Sequence, residues 1–371
     1  MTENFKGFIY EKDADGIVTL TMDMAGPVNA MNADFREAIR WLADKLEAEE
    51  ALKGVVFASA KKTFFAGGDL KEMEQAIPGT EQQWFDKIEK LKHQLRRIEK
   101  LPIPVVAAIN GAALGGGLEL CLACDHRIAW NSPNVVLGFP EVTLGLLPGA
   151  GGVVRTIHKL GLDRALPLLL EGKRYNARKA MDLGLIDEIV GGEEELVSAA
   201  KKWIKKNSHA GVKPWDLRGY KLLPAASTLS MLNVANAHYF AKHRGLLRAP
   251  ARILSIAHDV YCTNFDTALR IETRGLIEMI MSPEAKNQIN SNFFQLNKVN
   301  SGASRPKDIE KSVVSLGNGV FHLPDETTRF LLTRKLLQKL LQTHPVKLIE
   351  PFKTTNVSDI RAMSTMVLMK N

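Results

Sequence analysis

The sequence predicts an α/β fold in which parallel strands carry helices packed against their outer faces. Two observations point to it. Short apolar runs alternate with amphipathic ones through the first 150 residues, and 45% hydrophobic against 24% charged residues over 371 positions suits a globular chain. Ile17–Met22, 54–58, 105–110 and His126–Trp130 read as strands. Between them, 33–50 and 82–100 place apolar residues at helical spacing. Asn32 stands at the N-cap position of the first helix. The prolines at 102 and 104 stop the second, because proline has no N–H to donate along a helix.

From about 193 to 294 the pattern becomes mostly helical. Residues 251–281 keep helical spacing, and Pro283 starts a further turn. SGASR at 301–305, followed by Pro306, reads as a polar linker. The tail, 312–371, has a different character, with one basic amphipathic stretch at 330–342. Three regions are therefore expected: a core over 1–192, a helical part with a linker helix over 193–300, and a linker with an atypical tail over 301–371.

The net charge of +8 invites a nucleic-acid reading. The basic residues are spread along the chain, however, with no base-stacking or groove-reading motif beside them. An anionic small molecule or a solvated surface accounts for the charge better, and no nucleic-acid partner is expected. Three cysteines in a chain this long fit a reducing compartment. The N-terminus shows no basic segment followed by an apolar run, and no apolar stretch reaches the length of a membrane span. A cytoplasmic protein without a membrane span is the expectation. Cys121 and Cys124 have redox-motif spacing but lie in an apolar helical run, so packing is the better reading. The histidines lack metal-ligand spacing, and no metal is expected. Arg155 and His158 read as surface or oligomer-interface residues.

Three glycine-rich segments carry the chemistry: FFAGGDL at 64–70, NGAALGGGLEL at 110–120 and GFPEVTLGLLPGAGG at 138–152. Glycine lets backbone N–H groups approach a ligand closely. The second segment runs from a strand into an amphipathic run, so its glycines sit near a helix N-terminus, where free N–H groups favour negative charge. Glu119 and Glu141 each stand in apolar surroundings. Burial there is unfavourable for a carboxylate unless it is paired, hydrogen-bonded or protonated. Two such groups beside backbone donors can divide acid and base roles on one substrate. Helix capping or ion pairing explains them about equally well on spacing alone.

AGGDL, NGAALGGGLEL and PEVTLGLLPGAGG, in that order, resemble the signature segments of the crotonase (enoyl-CoA hydratase/isomerase) superfamily. PVNAMN near the start and LLLEGKRYNARKAMDLGLIDEIV at 168–190 follow the same pattern, so the resemblance covers about residues 1–310. It implies a spiral of β-β-α turns with a helical C-terminal extension. It also implies enoyl-CoA hydratase activity in fatty-acid β-oxidation, with Glu119 and Glu141 as the catalytic pair. The N–H groups of Ala66 and Gly116 are the implied oxyanion hole. Ala30, Gly67, Gly68, Asp69, Leu70 and Gly115 are the implied coenzyme A and substrate contacts, with Asp69 itself read as orienting its loop. Coenzyme A enters as the substrate thioester, and no prosthetic group is expected. Δ3–Δ2 enoyl-CoA isomerisation and a non-catalytic acyl-CoA-binding subunit are the alternatives.

Within that family the chain resembles the alpha subunits of bacterial fatty-acid oxidation complexes, which implies a thiolase partner, whereas stand-alone members form homo-oligomers. Those subunits continue into a 3-hydroxyacyl-CoA dehydrogenase. At that place this chain has VVSLGNGVFH, 313–322, where Gly317 and Gly319 match the first two glycines of a dinucleotide fingerprint and His322 replaces the third. No NAD site is expected, and the tail reads as a remnant of the dehydrogenase region, with a short form whose tail docks on partners as the alternative.

Overall fold

The structure is a computed structural model. It describes residues 2–301 except 223, 225 and 226, together with short strands between 314 and 370. Two compact units are present, Met1–Ile289 and Asn290–Asn371.

The first unit begins with an antiparallel meander, β1 (Thr2–Phe5), β2 (Phe8–Lys12) and β3 (Ile17–Met22). Helix α1 (Ala33–Ala48) follows, capped as expected by Asn32, whose Oδ1 accepts from Phe35 N at 3.0 Å. Then come β4 (Gly54–Ser59), α2 (Leu70–Glu74), α3 (Glu81–Glu99), β5 (Val105–Ile109), β6 (Ala113–Leu114), α4 (Gly116–Ala123) and β7 (His126–Trp130). β8 (Val136–Gly138), a 3-10 turn (Pro140–Leu144), α5 (Gly152–Leu160), α6 (Leu162–Glu171), β9 (Arg174–Asn176), α7 (Ala177–Asp182) and β10 (Glu188–Val190) complete the core.

Seven strands form the main sheet in the order β1-β2-β3-β4-β5-β7-β10, parallel from β3 onward. A second, three-stranded sheet runs β6-β8-β9. All four strands expected from sequence lie side by side in the main sheet. Its parallel strands are buried at successive positions, such as Val55, Val56 and Phe57, because helices cover both faces. On one face Ile17, Val56, Val106 and Ile128 pack against Leu196, Ala200 and Ile204 of α8 (Glu195–Lys206).

The helical part continues with α9 (Thr228–His243), α10 (Arg248–Cys262), α11 (Phe265–Ile280) and α12 (Pro283–Ile289). The helical spacing expected over 251–281 is divided between two helices. Asn264 interrupts the run by capping α11, its side chain accepting from Thr267 N at 2.9 Å.

In the second unit a π-helical turn (Asn290–Gln295) leads into α13 (Leu296–Asn300). Strands β11 (Val314–Gly317), β12 (Val320–His322) and β13 (Thr328–Phe330) pair antiparallel in that order. β14 (Val346–Leu348) pairs with β17 (Leu368–Lys370), and β15 (Lys353–Val357) with β16 (Arg361–Thr365). Gly317 therefore ends a strand whose neighbour returns beside it, whereas a dinucleotide-binding turn leads into a helix. Gly319, the linker beyond Ser301 and the amphipathic stretch beyond Phe330 lie outside the described residues.

Candidate active site

Both carboxylates reach one cavity. It is lined by Met31, Gly68, Asp69, Leu70, Gly116, Glu119 and Glu141, and walled by apolar side chains from α3, the loop after the 3-10 turn, and α11. Local sequence explains how each group arrives. Gly115, at φ +54°, ends the approach to α4, so Gly116 becomes the first helical residue and Glu119 falls within the first turn. Pro140 opens the 3-10 turn, where a missing N–H does no harm, and places Glu141 next to it.

Two glycines make room for the carboxyl groups. A methyl on Gly115 would stand 2.4 Å from Glu141 Oε1, and one on Gly152 would stand 2.7 Å from Glu119 Oε1. Glu119 is 3% exposed, and its Oε1 accepts from Ala150 N and Gly152 N, each at 2.7 Å. Glu141 is half-buried, and its Oε2 is closed off from solvent without a hydrogen-bond partner among the described residues.

These surroundings shift both groups upward by different routes. Burial raises the Glu119 pKa to about 7, assisted by the charge of Glu272 and opposed by the two backbone donors. Glu141 is pushed well above the ordinary carboxylate range by burial, and then by the charge of Glu119. Burial outweighs its own backbone N–H, which favours the anion, so Glu141 is the better proton holder. The pair can therefore offer one base and one acid at neutral pH.

Of the two expected oxyanion donors, Gly116 lines the cavity and Ala66 does not. The Ala66 N–H already donates to Asn29 O at 2.9 Å, and Ala66 is not among the lining residues, so its assignment is corrected. Gly68, two residues on, lines the cavity with Gly116, and neither N–H donates to an acceptor among the described residues. The expectation missed this because AGG offers three consecutive N–H groups. Only the bridge between this segment and Met31, in which Met31 N donates to Gly67 O, decides which of them faces inward.

Asp69 and Leu70 line the site, and Asp69 caps α2 by accepting from Lys71 N and Glu72 N. Ala30, Gly67 and Gly115 each precede a lining residue without lining the cavity themselves. Cys121 and Cys124 are buried, and burial raises both thiols, that of Cys124 to about 12.

Arg155 and His158 are corrected. Arg155 is 1% exposed and forms a bidentate pair with Glu99, at 2.9 and 2.7 Å. His158 is half-buried among Trp215, Tyr220 and Phe265, and burial lowers its pKa to about 4. Sequence reasoning also passed over the cavity wall from Trp84, Ile88 and Leu91 on α3 and Leu276 on α11. It passed over Glu272 as well, which is fully buried; the available signal was an acidic residue in register with Ala268 and Leu276 on an apolar face. A larger cavity of about 630 Å³ between α6 and α9 is lined by neither Glu119 nor Glu141. Among the described residues no helix is long and apolar enough to cross a membrane.

The family model for enoyl-CoA hydratase/isomerase matches residues 12–213. A fatty acid oxidation complex subunit alpha from Shewanella amazonensis is 31% identical over 323 residues, 85% of this chain. The chain spans 45% of that relative's length. Among solved structures, an enoyl-CoA hydratase from Bacillus halodurans matches with a TM-score of 0.55 at 22% identity, covering 77% of this chain and 99% of that one. An enoyl-CoA hydratase from Bacillus anthracis matches at 0.50 and 28% identity, covering 69% and 91%. The crotonase fold expected from sequence, with its helical C-terminal region, is the fold observed.

Proposed function

Since the chain belongs to the enoyl-CoA hydratase/isomerase family, we propose that it adds water across the 2,3 double bond of a trans-2-enoyl-CoA. The observation that carries this reading is the pair of carboxyls in unlike surroundings, one buried and one half-buried, in one cavity with two backbone N–H groups that donate to no acceptor among the described residues. The thioester carbonyl accepts from Gly68 N–H and Gly116 N–H. These donors stabilise the enolate oxygen as charge develops on it, and the N-terminus of α4 adds to the field.

Glu119, the more readily ionised group, takes a proton from water as its oxygen bonds to the β-carbon. The π electrons move toward the carbonyl, and Glu141 delivers its proton to the α-carbon. The products are a 3-hydroxyacyl thioester, a protonated Glu119 and an ionised Glu141, and proton exchange with solvent resets the pair. The acyl chain lies against Trp84, Ile88, Leu91, Leu146, Leu147 and Leu276, an apolar wall suited to a hydrocarbon. Coenzyme A serves as part of the substrate, and the setting is fatty-acid oxidation, the role named for the Shewanella relative. Assembly with a thiolase subunit or with copies of itself belongs to the same proposal.

The test is hydration of crotonyl-CoA, followed by loss of enoyl absorbance. Saturable turnover supports the reading. Conversion of a trans-3-enoyl-CoA without hydration would replace it by an isomerase, and tight acyl-CoA binding without either reaction by a non-catalytic subunit.

A further inference from the structure

One buried acid in this region has no part in the reaction just described. Glu272 on α11 is fully buried, and both of its oxygens are engaged. Oε1 accepts from Gly151 N at 2.7 Å and pairs with Lys92 Nζ at 2.9 Å, while Oε2 accepts from Val154 N at 3.1 Å. Lys92, itself 3% exposed, is anchored in turn by Leu269 O at 2.6 Å and Thr273 Oγ1 at 2.8 Å.

Glu119 holds the same loop from the other side. Ala150 N and Gly152 N go to Glu119, and Gly151 N and Val154 N go to Glu272. The N–H groups of residues 150, 151 and 152 thus alternate between two buried carboxylates on two different helices, and that of Val154 returns to Glu272. Gly151, at φ +105°, supplies the backbone conformation that this reversal uses. Where Glu119 Oε1 sits depends on where the loop sits, and the loop is fixed from behind by Glu272.

We propose that Glu272 is a positioning residue. Backed by Lys92, it clamps the 150–154 loop so that Glu119 is held in place for proton transfer, which makes α11 part of the active site. This rests on the hydratase reading only for its activity readout. The charged groups facing Glu272 are Lys92 from α3, Glu119 from α4, Arg155 from α5 and Glu141 from the 3-10 turn. Among them Glu119 feels Glu272 as a like charge, and Glu141 does so more weakly, so removing that charge favours ionised Glu119 above all.

Glu272→Gln replaces one acceptor oxygen by an NH₂ group that cannot accept from Gly151 or Val154. Loosening the loop should lower kcat for crotonyl-CoA by about 10–100-fold, with KM within about twofold of wild type. The acid limb of kcat/KM should move to lower pH, and Glu272→Asp should move it back. A folded variant that keeps the wild-type kcat and acid limb overturns the proposal, even if its melting temperature falls. Should the single variant not fold, Lys92→Met combined with Glu272→Gln buries no lone cation and carries the same two readouts. Should wild type show no turnover, the functional reading fails on its own. The clamp is then tested by infrared titration of the Glu119 carboxyl, identified as the band lost in Glu119→Gln. That band must titrate at lower pH in Glu272→Gln, and an unmoved band overturns the clamp.

Discussion

Glu141 lies over Gly115: its Oε1 stands 2.4 Å from where a Cβ on that glycine would be. A carboxyl group from one glycine-rich segment thus occupies the side-chain space left open by another. Gly115 also carries φ +54° with ψ −122°, a sparsely populated conformation in which a side chain adds backbone strain of about 1–3 kcal/mol. Gly115→Ala should therefore displace Glu141 and lower crotonyl-CoA hydration by at least tenfold. The melting temperature should fall by only a few degrees. Steady-state kinetics beside a thermal melt checks both, and an alanine variant with wild-type kcat would show that Glu141 is free to stand elsewhere.

Glu119→Gln and Glu141→Gln should each reduce hydration by about 10²–10⁴-fold, the usual worth of one positioned proton-transfer group. For wild type, kcat/KM should rise with pH through about 7 as Glu119 ionises, and fall again at higher pH as Glu141 loses its proton. A profile flat between pH 5 and 9 would remove the acid–base division.

Stability should carry the same signature. Folded Glu141 keeps a proton that the unfolded chain releases near the ordinary carboxylate pKa, so its contribution is fully present below that value and is lost as pH rises toward the folded pKa. Glu141→Gln has no such proton to lose. Its melting temperature should fall less steeply than that of wild type between pH 5 and 8. Parallel curves from calorimetry across that range would contradict the raised pKa.

Gly116→Pro tests the oxyanion hole with little harm to the helix, because Gly116 is the first residue of α4, where proline is tolerated. The added ring would press on Met31 Sδ, 2.7 Å from a Cβ at that position, so Met31→Ala is the companion change. Hydration should fall by about 10²–10³-fold while acyl-CoA binding persists. Turnover close to that of the Met31→Ala parent would place the donor elsewhere.

The Arg155–Glu99 pair is both buried and bidentate. Removing only the arginine leaves Glu99 with Arg96 alone, bonded at 2.7 Å. Arg155→Met should destabilise by about 3–5 kcal/mol in urea unfolding, as breaking a buried pair does. Adding Glu99→Gln should recover part of that loss, and additive losses would show that the two side chains act independently.

The sequence by itself determined the parallel sheet, the helix cap at Asn32 and the family, and it singled out as candidates the two glutamates that the structure brings to one cavity. Each of these follows from order along the chain: apolar spacing, a cap next to its helix, and glycines in fixed proximity to an acid. Even the helical region was legible, apart from the break at Asn264, which is a competition between side chain and backbone rather than a change in spacing. What only the tertiary structure decided was which groups meet. Ala66 and Gly68 each offer a backbone N–H in the same short segment, and the hydrogen bond to Asn29, 37 residues before Ala66, separates them. Arg155 looks like a surface residue until Glu99 is brought from another helix to neutralise it. Glu272 is 153 positions from Glu119, and no local pattern links them. They act on one loop because hydrogen bonds and charges depend on distance in space, which the chain's own order does not fix.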